Sequence, residues 1–386
     1  MKTRQSISRT TKLVILIAFV LFSAYNLVLT ALQDFILFIS GDAGALGTSF
    51  GIFTLTAVLS RFLSGWIIER IDDAVALVFG NAIVTLVLAV YPLASHILII
   101  YAIRAVQGFG WALSTVTVLT MIVENTESTR VSEALGYLNV FGSLSLLIFP
   151  LFGSLIVAIK SLEFYTICFN LAFVTGGLCT ILSIYAWRSI PPAVAHEIPV
   201  SGLPERSVLV PTFAAFLLFM TLGVLLSYSP EIATINGIDN PGFFFSIFAF
   251  AQIIGSALGG ILTGNSRYGW IATMGALFVV CGTALLVFFP GLYGYIVSAF
   301  IVGLGFAAAN IALNSFVSSI STNSEAKGMA MYSAGGDTAI AVGSFGTAML
   351  LGFGWEMPII LLVFALTALV SSIYSYITIS RTIPRI

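Results

Sequence analysis

The chain has 386 residues, of which 59% are hydrophobic and 8% charged. A soluble domain carries about 25% charged residues, so this composition cannot coat a water-soluble globule of this size. The formal net charge of -1 gives no basis for a nucleic-acid partner, and the bilayer is the expected surrounding.

Lys2, Arg4, Arg9 and Lys12 precede the first apolar run, as in the basic start of a signal peptide. The run that follows is too long for a signal core and lacks a cleavage site, so it is predicted to remain as a helix. Apolar runs of about 20 residues predict twelve spans. They fall near 13–38, 46–70, 74–95, 97–121, 131–159, 163–187, 208–230, 243–264, 268–290, 292–318, 327–352 and 355–380. Short connections make neighbouring spans antiparallel. The exception is 188–207, where Pro191, Pro192, Pro199 and Pro204 prevent a helix from continuing. The chain therefore divides into a six-helix bundle over 1–187, a linker over 188–207, and a second six-helix bundle over 208–386.

Basic residues orient the spans. One set of ends holds Lys2, Arg4, Arg9, Lys12, Arg70, Arg130, Arg188, Arg206, Arg267, Lys327, Arg381 and Arg385, and the other holds Lys160. Positive charge stays inside, so both termini and the linker are expected in the cytoplasm of a multi-pass plasma-membrane protein. Cys168, Cys179 and Cys281 lie in apolar runs without metal spacing and are read as small core hydrophobes.

The two halves echo one another. Ser60-Arg-Phe-Leu-Ser-Gly65 in span two matches Gly255-Ser-Ala-Leu-Gly-Gly260 in span eight. Gln107-Gly-Phe-Gly110-Trp-Ala112 in span four matches Val302-Gly-Leu-Gly305-Phe-Ala307 in span ten, again 195 residues later. Two matches at one offset predict a duplicated unit and a pseudo-symmetric pair of bundles, as alternating access requires.

With these features the sequence resembles the major facilitator superfamily along its whole length. The family's G-x-L-A-D-R-x-G-R signature falls on Gly65-Trp-Ile-Ile-Glu69-Arg70-Ile-Asp72-Asp73, one turn after Arg61. Glu69 replaces aspartate, Asp72 replaces glycine and Asp73 replaces a basic residue. The family's R-x-x-Q-G-x-G-x-A falls on Arg104 to Ala112 without departure. Span five is similar to the glycine-rich pattern of exporters through Gly136, Pro150 and Gly153, with Phe149 departing from it. Asn240 to Phe245, Tyr332 and Gly335-Gly-Asp337 are similar to a subset of small-solute exporters. The resemblance implies a cytoplasmic gate of Arg61, Gly65, Glu69 and Arg70. It also places Arg104 near substrate and proton sites.

An arginine inside a span costs about 2.5–3.5 kcal/mol on insertion scales, so Arg104 is expected to face protein or water. Gln107, Trp111 and Thr115 follow at helical spacing and form one polar stripe. Asn26, Thr30 and Asp34 in span one also share a face, with Asp34 and Arg104 at similar depth. Their pairing would lower the burial cost of both charges. Asp337 lies roughly 15 Å into span eleven, where an acid can carry a proton across. Asn139, Asn310 and Asn314 either bind substrate or act as polar glue between helices. Tyr332 joins the expected cavity set.

The glycines at 303 and 305 are read as packing, because no lysine follows and no strand precedes them. No catalytic residue, metal site or cofactor motif is predicted, so an enzyme or ATP-driven pump is not expected. The leading expectation is a monomeric, proton-coupled antiporter that exports a small organic molecule, with amphipathic solutes among the candidates. The alternatives are proton-coupled uptake of a polar or anionic solute, with Arg104 as counter-charge, and a non-transporting membrane sensor or scaffold. For the sensor reading, no soluble output domain is found in the chain.

Overall fold

The computed structural model describes residues 8–68, 70–127, 130–190, 206–263, 267–321 and 325–380. Every regular element among the described residues is helical. That is the expected solution where no water is present to satisfy backbone groups. The first half runs α1 (Arg9–Leu27), α2 (Leu29–Ser40), α3 (Gly44–Ile68), α4 (Asp73–Val90), α5 (Ile97–Glu124), α6 (Val131–Ile156) and α7 (Leu162–Ser189). The second half runs α8 (Leu209–Ser227), α9 (Ser229–Ile235), α10 (Gly242–Thr263), α11 (Tyr268–Phe288), α12 (Leu292–Ile320), α13 (Glu325–Gly352) and α14 (Met357–Thr378). Ten helical stretches are long and apolar enough to cross a membrane, the first being Arg9–Ser40. The helices α3 and α13 add 25 and 28 residues of continuous helix.

Local chemistry explains several boundaries. Asp72, standing where the family signature has glycine, caps α4 by accepting from the amides of Ala74 and Val75 at 2.9 and 3.2 Å. The run 74–95, read as one span, ends in a tight 3-10 turn at Tyr91–Leu93, where Pro92 interrupts α-helical bonding. Many buried hydroxyls bond back to their own helices, as Thr117 does to the Leu113 carbonyl at 2.7 Å, which gives the donor a partner inside an apolar helix.

Two predicted single helices are interrupted. Span one parts at Val28 between α1 and α2, and span seven parts at Tyr228 between α8 and α9. The second break has a covalent cause. Pro230 has no amide hydrogen, so the Leu226 carbonyl four residues earlier loses its helical donor. The side-chain amide of Gln33 donates to that carbonyl instead, and Ser229 Oγ donates to Gln33 Oε1 at 2.6 Å.

The helices form two compact units. One draws its described residues from Met1–Leu32 and Thr56–Ile198, the other from Gln33–Leu55 and Pro199–Ile386. The Gln33 bonds show why its segment groups with the later helices. Gly47 shows it too: a methyl there would overlap the Ser344 carbonyl and the Tyr228 hydroxyl. In the first unit α4 lies on α5 and α7, while α1 runs between α6 and α7. Its core includes Val14, Ile17, Leu21, Leu77, Val118 and Ile122. In the second unit α12 lies on α10 and α11, and α8 lies on α13 and α14, around Ala214, Ala272, Leu313 and Phe316.

The 195-residue echo reappears as a packing device. In the first unit a side chain on Gly80 or Gly110 would stand 3.1 Å from the other's carbonyl oxygen. In the second unit the same holds for Gly275 and Gly305 at 2.5 Å, and those two positions lie 195 residues after the first two. Absence of Cβ lets α4 approach α5, and α11 approach α12, backbone to backbone. Cysteines divide: Cys168 and Cys179 are buried, but Cys281, read as a core residue, is exposed on α11, the lipid-facing position of a small apolar group.

Candidate functional site

A polar cluster around a shared amide oxygen lies in each unit. In the first, α5 presents Arg104, Gln107, Trp111 and Thr115 along one side, as their spacing predicts. Arg104 is 3% exposed and Gln107 fully buried. Gln107 Oε1 accepts two bonds, from the Tyr91 hydroxyl at 2.7 Å and from Arg104 Nη1 at 2.8 Å. The Tyr25 and Tyr91 hydroxyls lie within the electrostatic reach of the guanidinium. The charge of Arg104 is thus spread over neutral acceptors, the condition under which a buried cation is tolerated. Gln107 Nε2 is buried with no acceptor among the described residues.

Aromatic rings continue this cluster. Trp111 meets Tyr25 at a centroid distance of 4.5 Å and Phe22 at 5.5 Å. All three are half-buried. Thr115 bonds to the Trp111 carbonyl of its own helix at 2.8 Å. Two other predicted cavity residues hold helices together. Asn26 donates to Ser145 Oγ and Thr30 to the Pro150 carbonyl, both at 3.0 Å, fastening α6 to the first span. Asn139 is exposed on α6.

In the second unit the cluster centres on α12. Tyr332 donates its hydroxyl to Asn310 Oδ1 at 2.8 Å, and Asn314 Nδ2 donates to the same oxygen at 3.2 Å. Phe219 of α8 stands against Phe306 at 4.8 Å and Tyr332 at 6.5 Å. Asp337 is half-buried in the middle of α13, with its Oδ2 fully enclosed. Asp34 is buried in α2 beside Gln33.

Of the expected gate, Arg61 is half-buried on α3, Gly65 lies within that helix, and Arg70 is exposed just beyond it. Glu69 lies outside the described residues. Sequence reading missed Gln33, Tyr25, Tyr91, Phe219 and Phe306. Tyr91 beside Pro92 read as a span end, and the two phenylalanines were hidden among 32. The signal for Tyr25 was its position one helical turn from Phe22 and beside Asn26.

Long apolar helices that bury an arginine and an aspartate, and hold a second acid and paired amides half-buried, define a multi-pass membrane protein. The chain belongs to the Major Facilitator Superfamily, whose pattern it matches over residues 14–326. That family and the neighbours in fold are transporters rather than enzymes. In sequence it is 27% identical over 174 residues to the vesicular acetylcholine transporter unc-17 of Caenorhabditis elegans. That match covers 42% of this chain and 31% of the relative, so the chain spans under a third of its length. The fold is shared with the nucleoside transporter NupG in a mutant form, at a TM-score of 0.78 with 11% identity, over 95% of this chain and 99% of that one. It is shared equally with a bacterial homolog of the human lysosomal transporter Spinster, at 0.78 with 13% identity over 98% of both chains.

Proposed function

We propose that the chain is a secondary active transporter that moves a small organic solute across the plasma membrane by alternating access, exporting it in exchange for protons. The observation that carries this reading is the set of ionisable groups held within apolar helices: Arg104 at 3% exposure, Asp34 at 6%, and Asp337 with an enclosed carboxyl oxygen. Such groups are costly in a membrane and mark ion or substrate routes. The half-buried rings of Phe22, Tyr25 and Trp111 beside Arg104 suit a solute with both apolar and polar parts. The names of the relatives, an acetylcholine carrier and a nucleoside carrier, agree with cargo of that size.

In this reading twelve spans form two pseudo-symmetric six-helix bundles, 1–187 and 208–386, joined by a cytoplasmic linker over 188–207. Both termini face the cytoplasm, and the monomer is the working unit. Arg61, Gly65, Glu69 and Arg70 act at the cytoplasmic gate. The recurring glycine contacts of α4 with α5 and α11 with α12 support a duplicated scaffold.

The test is made in liposomes holding a trapped pH-sensitive dye and the purified protein. Addition of candidate solutes should evoke proton movement, and an imposed pH gradient should drive solute against its own gradient. A direction opposite to that of the solute identifies exchange, and a common direction identifies uptake by symport. Solute flux that ignores the pH gradient would overturn proton coupling.

A further inference from the structure

The side chains of α12 sort onto three faces. Ser298, Val302, Gly305 and Ala309 meet α11, while Leu304, Ala308 and Ile311 meet α10. Phe306, Asn310 and Asn314, each four residues apart, share a third face, which borders α10 where Phe306 meets Phe248 at a centroid distance of 6.2 Å. Asn310 and Asn314 are half-buried there, with Phe219, Phe306 and Tyr332 beside them.

The hydrogen bonds of the asparagine pair dictate what it offers. Asn314 Nδ2 donates to Asn310 Oδ1, which also accepts from Tyr332. The atoms left over are a donor, Asn310 Nδ2, and an acceptor, Asn314 Oδ1; neither has a partner among the described residues. This holds whichever way the amides are assigned. If both were turned over, Asn310 would donate to Asn314, and the remaining atoms would again be one acceptor and one donor. A head-to-tail pair of amides always presents one of each. No reorientation turns it into two donors or two acceptors without breaking the internal bond.

We infer that Asn310 and Asn314 read a donor–acceptor edge, binding planar neutral solutes whose ring carries a carbonyl and an N–H on adjacent atoms, as a lactam does. The carbonyl accepts from one asparagine and the N–H donates to the other, while the ring lies against Phe219 and Phe306. Aromatic packing supplies affinity for a flat ring, and the amide pair supplies the choice among rings. A solute lacking the N–H leaves a buried acceptor unpaired, the arrangement that gives the strongest rejection of a near-isostere. The inference rests on the transporter reading only in taking the ligand to be the transported solute.

The experiment is titration calorimetry of the purified full chain with 2-quinolinone and with N-methyl-2-quinolinone, which differ only at the hydrogen-bonding nitrogen. The unmethylated compound should bind about tenfold more tightly or better. Asn314→Leu should erase that preference while leaving the methylated compound's affinity within about twofold. Phe306→Leu should weaken both compounds together. Equal binding of the two compounds, no binding of either, or an unchanged preference in Asn314→Leu would overturn the assignment. The comparison of compounds on the unaltered chain decides the matter even if a variant fails to fold. Solute-evoked proton movement in liposomes is a separate readout, so failure here would leave the transporter reading standing, and the reverse.

Discussion

The polar clusters of the two units use the same device with different chemistry. Each has an amide whose oxygen accepts two donors, one of them a tyrosine hydroxyl: Gln107 with Tyr91, and Asn310 with Tyr332. The second donor is a guanidinium in the first unit and a neutral amide in the second. The first hub is fully buried and charged, and the second is half-buried and neutral. Nor do they occupy equivalent positions. At the 195-residue offset that relates Gly80 to Gly275 and Gly110 to Gly305, Asn310 corresponds to Thr115, and Gln107 to Val302. The repeated element is the close approach of helices, while the groups that handle solute or protons have diverged. Packing is set by backbone separation and tolerates little change. A polar group in a cavity is free to move by a turn or two.

The comparison breaks first at Asp337, a half-buried acid in the unit whose hub is neutral. Asp337→Asn keeps the volume and removes the exchangeable proton. Transport driven uphill by a pH gradient should be abolished, while exchange of solute down its own gradient persists. A variant that still follows the gradient as the unaltered chain does would pass the coupling role to Asp34. The next effect in size concerns the charged hub. Arg104→Lys keeps the charge but loses the planar fork that meets Gln107, Tyr25 and Tyr91 together. Transport in liposomes should fall about tenfold or more with the protein still monodisperse. Normal rates would show that charge alone matters there.

These residues also mark how far the sequence could be read. Long apolar runs and the Arg104 to Ala112 motif placed the helices and the family, because each is a local signal written in consecutive residues; the prolines of the expected linker lie outside the described residues. Asn310, Asn314 and Tyr332 were nameable for the same reason: polar groups stand out in apolar helices. The roles of Asn26 and Thr30 were not legible. Whether a polar side chain lines a cavity or bonds across to Ser145 or Pro150 depends on which helix lies opposite. The breaks at Val28 and Tyr228 were missed because apolar composition continues through both. The Gln33 amide that satisfies Leu226 is 193 residues distant from it, beyond any local pattern.

The packing half of the comparison is tested at the glycines. Gly80→Ala and Gly275→Ala each force a methyl against a facing carbonyl, at 3.1 and 2.5 Å. Overpacking of this kind costs about 1–3 kcal/mol. Both variants should unfold earlier in a thermal scan of the purified protein, since the nearest atom to the new methyl, Ser114 Oγ for Gly80 and the Gly305 carbonyl oxygen for Gly275, stands at 2.5 Å in each. The half-buried helical glycine Gly177, with open space where a methyl would stand, should accept alanine without loss. Equal tolerance at all three sites would show that close approach is not what the repeat preserves.

The smallest effect distinguishes the hubs themselves. Tyr91→Phe and Tyr332→Phe each delete one hydroxyl from a buried ring and leave the amide oxygen with its other donor. Neither amide is orphaned, so neither change should unfold the protein. The Tyr332 hydroxyl bonds to a neutral amide, and its loss should cost about 1 kcal/mol or less. The Tyr91 hydroxyl bonds to the same Gln107 oxygen that accepts from the Arg104 guanidinium and interacts with that charge, and bonds to charged groups contribute more than neutral ones, about 1.5–3 kcal/mol. Thermal unfolding midpoints should therefore drop further for Tyr91→Phe than for Tyr332→Phe. Combining Tyr91→Phe with Arg104→Lys should cost less than the sum of the two, because both remove members of one network. Adding Tyr332→Phe to Arg104→Lys should be additive, since those residues share no bond. Equal single losses, or equal coupling to Arg104, would erase the distinction between a charged hub and a neutral one.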